Sequence, residues 1–424
     1  MAFVLQQHLA RQRQGGAAGI YSVCSAHPWV IRAAAEQAAA DNSLLLVEAT
    51  SNQVNQFGGY TGMRPAAFRD FVMGYVKTAG VDLKKLILGG DHLGPNPWRT
   101  LPAEEAMERA ETMVAEYARA GFGKIHLDAS MSCSDDPAQL SDEAVAKRAA
   151  RLCKAAESAC TNEGPVYVIG TEVPVPGGAM HSVHELEATS AEAAAHTLAV
   201  HKAIFAEQGL GEAWRRVIAL VVQPGVEFDH DSVVAYDRKK ASALVDWLRA
   251  QPEEIVFEAH STDYQLPRAY VELVEDGFAI LKVGPALTFA MREALEALEE
   301  MESQLVPEEK QSHLGSVMEE TMLREPKDWM PYYPGTSAEQ KLLRRYSYSD
   351  RVRYYWHRPE IAAAVERLVV NLSTVTIPES MLSRYLPAQY LRLRMGEIGG
   401  DPVALIVDKV RDVLRTYAAA CVER

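Results

Sequence analysis

Residues 86–98 read LILGGDHLGPNPW: three aliphatic residues enter two glycines, Asp91 and His92 follow side by side, and Gly94-Pro95-Asn96-Pro97 then bars a helix. An apolar run that ends in two ionisable groups and an irregular loop is how a buried strand delivers polar side chains to a cavity. Seven other stretches repeat the design: Gly19–His27, Ser43–Ser51, Lys124–Ser130, Val166–Val173, Val217–Gly225, Ile255–Asp263 and Phe278–Ala286. Each is rich in Val, Ile or Leu without the strict alternation of a half-exposed strand, as a strand covered on both faces should be. Between them lie helical patterns such as PWVIRAAAEQAAAD and PAEEAMERAETMVAEYARAG, several opening at Pro or Ser and closing at Gly or Asn. Eight strands alternating with helices predict an α/β fold, a (β/α)8 TIM barrel over residues 1–302. An open doubly wound sheet is the alternative, but no Gly-rich dinucleotide fingerprint follows the first strand. After residue 302 the alternation stops, and residues 303–424 are expected to form a helical C-terminal extension packed on the barrel.

Composition narrows the function. The chain has 424 residues, 48% of them hydrophobic, and its 43 Lys+Arg against 57 Asp+Glu give a net charge of −14. That surplus of acid disfavours nucleic acid as a partner, since phosphate backbones need clustered positive charge. The segment RRYSYSDRVRYYWHRPE, basic and aromatic, would suggest RNA stacking by itself; against the overall charge it reads better as a cover over the barrel mouth or a subunit contact. An arginine there is also placed to reach a substrate phosphate. No apolar run approaches the ~18–20 residues of a membrane span. The start, MAFVLQQHLARQRQGG, reads as a short amphipathic helix and not as a signal peptide. Five cysteines without a C-x-x-C pair fit reduced thiols and a cytoplasmic location. Cys24 and Cys133, near strand ends, are either reactive or, as small hydrophobes, simply buried.

Polar groups collect at the strand ends: His27, Glu48 with Asn52, Asp91-His92, Asp128, Glu172, Gln223, His260 with Asp263, and Lys282. Unpaired buried charge is costly, so eight strands would not carry such groups to one mouth without a task for them. Glu48 and Asp128 read equally as barrel residues paired to neighbours or as ligands, and His27 as a helix cap or a site residue. His126 is expected to face outward against a helix. Imidazoles and carboxylates converging from different strands suit a divalent metal, Zn²⁺ first and Mn²⁺ second. Such a metal would polarise a carbonyl and stabilise an enediolate, the hard step in aldol cleavage or sugar epimerisation. His92 and His260 are the candidate ligands, with Glu172 a third that is also a catalytic candidate, and Asp91 is the candidate proton shuttle. Lys282 offers a rival catalytic route through a Schiff base, or a pairing with phosphate; the metal is preferred because the lysine route leaves two histidines idle. Gly284-Pro285 opens a helix whose N–H groups favour a phosphate. Asn52, Gln53 and Gln56, in the loop ATSNQVNQFGGYTGM, and Asp128, Gln223 and Asp263 complete the expected substrate contacts.

These residues sit in motifs that match a known family. SVCSAHP, EATSNQVNQFGGYTGM, LGGDHLGPNPW, HLDASMSCSDDP, GTEVPVPGGA, FEAHSTDYQ and LKVGPALTFAMREAL, in this order, resemble the GatZ/KbaZ family, from about residue 5 to beyond residue 390. Its members are named as subunits of tagatose-1,6-bisphosphate aldolase. The resemblance implies either a partner supporting a separate class II aldolase chain, or a stand-alone epimerase acting at C4 of tagatose 6-phosphate. Some members carry a tagatose-6-phosphate kinase label, which the absence of a G-x-x-x-x-G-K-[ST] loop opposes. Class II aldolases resemble the chain at Asp91-His92 and at His260. Two departures stand out: no third histidine is evident, with Glu172 or Gln223 at the candidate strand ends, and STDYQ replaces the glycine-rich phosphate loop. The expected reaction is metal-dependent C4 epimerisation of tagatose 6-phosphate to fructose 6-phosphate by retro-aldol and aldol steps. The alternative is a non-catalytic aldolase subunit. The expected partners are a sugar phosphate, with a class II aldolase chain or a second copy of this one as protein partners.

Overall fold

Eight parallel strands close on one another in chain order: β1 (Ile20–Val23), β2 (Leu45–Thr50), β3 (Leu86–Leu93), β4 (Lys124–Leu127), β5 (Val166–Ile169), β6 (Val217–Val221), β7 (Val256–Ala259) and β8 (Phe278–Val283). The eighth returns to the first, with Ile20 opposite Ile280 and Ser22 opposite Lys282. This is the expected (β/α)8 barrel, seen in a computed structural model that describes residues 2–14, 16, 18–160, 164–171 and 186–422. The strands lack alternation because helices cover them outside while side chains fill them inside.

The barrel interior is divided along its axis. At the strand starts Leu46, Ile87, Val168, Ile218, Val256 and Ile280 form an apolar floor. The helix Ala2–Arg13 closes it from below, inserting Leu5 and Leu9, which are four residues apart and so on one helical face. Toward the strand ends the inward positions turn polar, and the site begins there.

The tail completes the ring of helices outside. The last helix, Pro402–Cys421, packs against Pro28–Asp41, Pro267–Glu275 and Pro285–Leu305 and touches β1. Its Tyr417 ring lies 4.2 Å from that of Tyr270 and 6.2 Å from that of Tyr21, and its hydroxyl lies 3.0 Å from Thr262 Oγ1. The residue after 302 lies inside the helix Pro285–Leu305, and one continuous apolar core joins barrel and tail. Before the last helix, the turn Arg351–Tyr354 and the helix Pro359–Ser373 lie over the barrel mouth. The arginines of that stretch are engaged within the protein: Arg344 pairs with Glu319 at 2.5 Å, Arg358 pairs with Glu325, and Arg351 lies 3.4 Å over the Tyr332 ring. No helix among the described residues is long and apolar enough to cross a membrane.

Candidate metal centre

The centre starts from an irregularity in β3. Gly90 pairs with Ile125 and Leu93 with Leu127, so three steps on β3 oppose two on β4, a one-residue bulge at Asp91-His92. In a regular strand these neighbours would face opposite sides; the extra residue, with His92 at φ 49°, lets both line the cavity. The loop then passes so close to β4 that a Cβ on Gly94 would stand 1.5 Å from the Asp128 carbonyl oxygen. Only glycine fits there. Gly89 has the same kind of role inside, since a Cβ would meet the Glu48 side chain at 2.6 Å.

β4 brings a residue that the sequence reading turned the wrong way. His126 is fully buried inside the barrel, its ring centroid 5.1 Å from that of His92 and 5.4 Å from that of His260. Strand periodicity is two, so Lys124, His126 and Asp128 share one face, and the inward course of Asp128 should have carried His126 with it. The third histidine is therefore on β4. Ligand atoms of Asp91, His92, His126 and His260 lie within 4.8 Å of one another.

The surrounding hydrogen bonds fix these rings. His92 Nδ1 lies 2.7 Å from Asp128 Oδ2, while Asp128 Oδ1 accepts from the Ser130 hydroxyl at 2.6 Å. His260 Nε2 lies 3.0 Å from Glu258 Oε1. Each ring thus keeps its other nitrogen for the centre, the usual second partner of a metal-binding imidazole. His126 Nε2 is buried with no hydrogen-bond partner.

Under the rings lies a buried ionic lattice. Lys124 Nζ sits 2.8 Å from Glu48 and 2.7 Å from Glu258; Lys282 Nζ sits 2.9 Å from Asp91 and 3.0 Å from Glu48. Three carboxylates (Glu48, Asp91, Glu258) face two ammonium groups and a fourth, Asp128, faces His92, a formal surplus of two negative charges while the imidazoles are neutral. Burial alone would raise Asp91, but His92, Lys282 and His126 outweigh it and hold it well below the usual carboxylate range. Burial likewise opposes a charge on His92, yet Asp91 and Asp128 prevail and raise it. His260 goes the other way: burial, against the pull of Glu258, lowers it to about 4, so it is neutral and ligand-ready at pH 7. Three imidazole donors, one of them with an orphaned buried nitrogen, and two surplus negative charges fit a divalent cation.

The cavity above holds about 700 Å³ and is lined by Asn52, Gln53, Asp91, His92, His260, Asp263, Lys282 and Gly284 of the expected set. From the tail, Arg353, Tyr354, Trp356 and His357 form part of its roof. Other expectations need correction. Gln56 donates to Arg109 O at 2.9 Å, Gln223 Oε1 accepts from Gly225 N and Val226 N, and Asp128 is committed to His92 and Ser130, so none of these three lines the cavity. Asp263 Oδ1 accepts from Gly284 N at 3.0 Å and Ala286 N at 2.8 Å, so the helix N-terminus meant for phosphate already holds an anion of the protein's own. Lys282 meets the burial penalty but is held well above its ordinary value by Asp91, Glu48 and Glu258, which works against the neutral amine a Schiff base requires. Burial also pushes the Cys24 thiol up, against a reactive role. His27 caps the helix Pro28–Asp41, its Nδ1 accepting from Trp29 N at 3.3 Å. Glu172 lies outside the described residues.

Comparison with known proteins bears on this site. A model of the D-tagatose-1,6-bisphosphate aldolase subunit GatZ/KbaZ-like family matches residues 5–422. A protein of Klebsiella pneumoniae named D-tagatose-1,6-bisphosphate aldolase subunit GatZ is 51% identical over 97% of this chain and 98% of its own. The like-named protein of Salmonella dublin is 51% identical over 98% and 99%. A crystal structure described as a probable tagatose 6 phosphate kinase from Sinorhizobium meliloti 1021 superposes with a TM-score of 0.88 at 50% identity, covering 95% of this chain and all of that one.

Proposed function

The chain belongs to the D-tagatose-1,6-bisphosphate aldolase subunit GatZ/KbaZ-like family, and on that footing we propose that it inverts C4 of tagatose 6-phosphate, giving fructose 6-phosphate by metal-dependent retro-aldol and aldol steps. One observation carries the reading: His92, His126 and His260 converge around Asp91 at the base of a cavity that Asp91, His92 and His260 line. A scaffold has no need of such a set. A divalent ion on the three imidazoles, Zn²⁺ or Mn²⁺, would polarise the C2 carbonyl and stabilise charge as it develops there.

The protein supplies the rest. The Asp91 carboxylate accepts the proton of the C4 hydroxyl; the C3–C4 bond breaks, its electron pair passing to C3 and into the C2 carbonyl, and C4 becomes an aldehyde. Lys282, 2.9 Å from Asp91, keeps that carboxylate charged and placed. The aldehyde turns its other face, the C3–C4 bond re-forms, and Asp91 returns the proton to the new C4 oxygen. Atoms and charge balance with no second substrate. The roof of Arg353–His357 and Pro359–Ser373 retains the two fragments between the steps. The five cysteines carry no disulfide, which together with a sugar-phosphate substrate supports a cytoplasmic site of action.

The second reading is a supporting subunit, favoured by the names of the relatives at 51% identity. Kinase activity, named for the Sinorhizobium meliloti protein, has no nucleotide loop to support it in this sequence. The deciding experiment strips the purified chain of metal, refills it with Zn²⁺ or Mn²⁺, and follows tagatose 6-phosphate to fructose 6-phosphate by chromatography. Turnover that needs metal and vanishes in His92→Ala and His260→Ala is the expected result. No turnover with any metal, alongside tight binding to a class II aldolase chain, would make the protein the supporting subunit.

A further inference from the structure

Beside the metal cavity lies a second one of about 520 Å³. In a chain of net charge −14, its walls carry Arg99, Lys327, Arg351 and Arg358 against a single carboxylate, Asp328. Asn52, Tyr60, Tyr354 and His357 line both cavities and form the partition between them. Tyr60 meets Tyr354 edge-on at 5.3 Å and stacks on His357 at 6.2 Å, so the partition is one thin layer of rings.

The four cations divide into two kinds. Arg358 pairs with Glu325, and Arg351 is buried against Tyr332 and Tyr354; they build the wall. Arg99 and Lys327 are exposed and form no ion pair among the described residues, so their charge is available to a ligand. In the metal cavity Asp263 occupies the helix N-terminus where this fold commonly takes an anion, and the roof arginine Arg353 donates to the Ser349 and Asp350 carbonyls. The exposed cations of the vestibule are therefore the better place for a dianion.

We propose that this basic vestibule binds the phosphate of the ketose phosphate, while the carbon chain passes the Tyr60–Tyr354 partition toward the metal centre. The inference rests on the sugar-phosphate reading above and adds where the phosphate sits. It also gives the acidic molecule a local positive field that draws anionic substrates to the mouth.

Calorimetric titration of the metal-loaded full chain tests it, with tagatose 6-phosphate, unphosphorylated tagatose and inorganic phosphate as probes. Arg99→Ala, Lys327→Ala and the double variant are compared with the wild type; both positions are exposed, so the fold should survive. Losing both cations should weaken tagatose 6-phosphate binding by about tenfold or more, the size of a lost charge-assisted hydrogen bond. Tagatose affinity should stay the same, and competition by inorganic phosphate should disappear. Unchanged affinity for tagatose 6-phosphate in the double variant, or equal losses for both sugars, overturns the vestibule, as does a wild type that binds neither phosphate probe. The readout is binding, so a protein that loses phosphate affinity as expected yet shows no epimerisation keeps the vestibule and loses the catalytic reading.

Discussion

His126 Nε2 is a buried nitrogen without a partner, and leaving such a group unsatisfied costs about 1–3 kcal/mol unless something binds it. A metal ion removes that cost, and this separates a ligand from a ring that merely fills the barrel. Competition with a chromophoric chelator should show His126→Ala losing Zn²⁺ affinity by more than Asp128→Asn, whose expected loss is about 10–100-fold through loosening of His92. Wild-type affinity in His126→Ala would reduce the ring to core packing. At this scale the sequence was partly legible. Asp91, His92, His260 and Lys282 announced themselves by standing at strand ends, whereas His126 was hidden one step inside β4 and assigned to the wrong face. The parity of Lys124, His126 and Asp128 was the signal that would have found it. Gln56 and Gln223 show the converse: polar type and loop position suggest a ligand contact, but backbone groups claimed both amides first.

The bulge in β3 belongs to the scale of the element, because no single side chain makes it. Its geometry needs His92 in the left-handed region and the chain after it pressed on β4. Gly94→Ala should therefore disturb the whole β3–β4 edge: the added Cβ meets a backbone oxygen at 1.5 Å, and no rotamer change relieves a backbone clash. A loss of at least about 2 kcal/mol in urea unfolding is expected, with weakened metal binding. Gly62→Ala serves as the comparison, since that Cβ meets nothing within 4 Å and only φ 75° opposes it, at about 1 kcal/mol. Equal costs at the two positions would show that the close approach is not what Gly94 secures. All eight strands were legible from apolar runs, because burial on both faces leaves that mark. A one-residue register shift leaves none; only the unusual Gly-Gly-Asp-His-Leu-Gly order hinted at it.

Over the whole molecule, the barrel is held between an apolar floor and a charged upper layer, and the two contribute differently to stability. Leu5 and Leu9 seal the floor by burying apolar surface, and Pro402–Cys421 completes the outer ring. Nothing in the sequence placed the tail's last helix there, since its amphipathic pattern says that a face is buried but not against what. The upper layer has no apolar surplus to offset its two excess negative charges, so a bound divalent cation should be part of what keeps it folded. Chelation should lower the thermal midpoint, and Zn²⁺ at about a thousand times its dissociation constant should restore about 4 kcal/mol. The proton competes for the same place: Asp91 and Asp128 raise His92, so acidification protonates it and removes a ligand. The gap between metal-loaded and metal-free midpoints should narrow as the pH falls through the His92 titration. A gap that stays constant down to pH 5, or no gap at neutral pH, would mean that Lys124, Lys282 and the buried hydrogen bonds balance this layer without a cation.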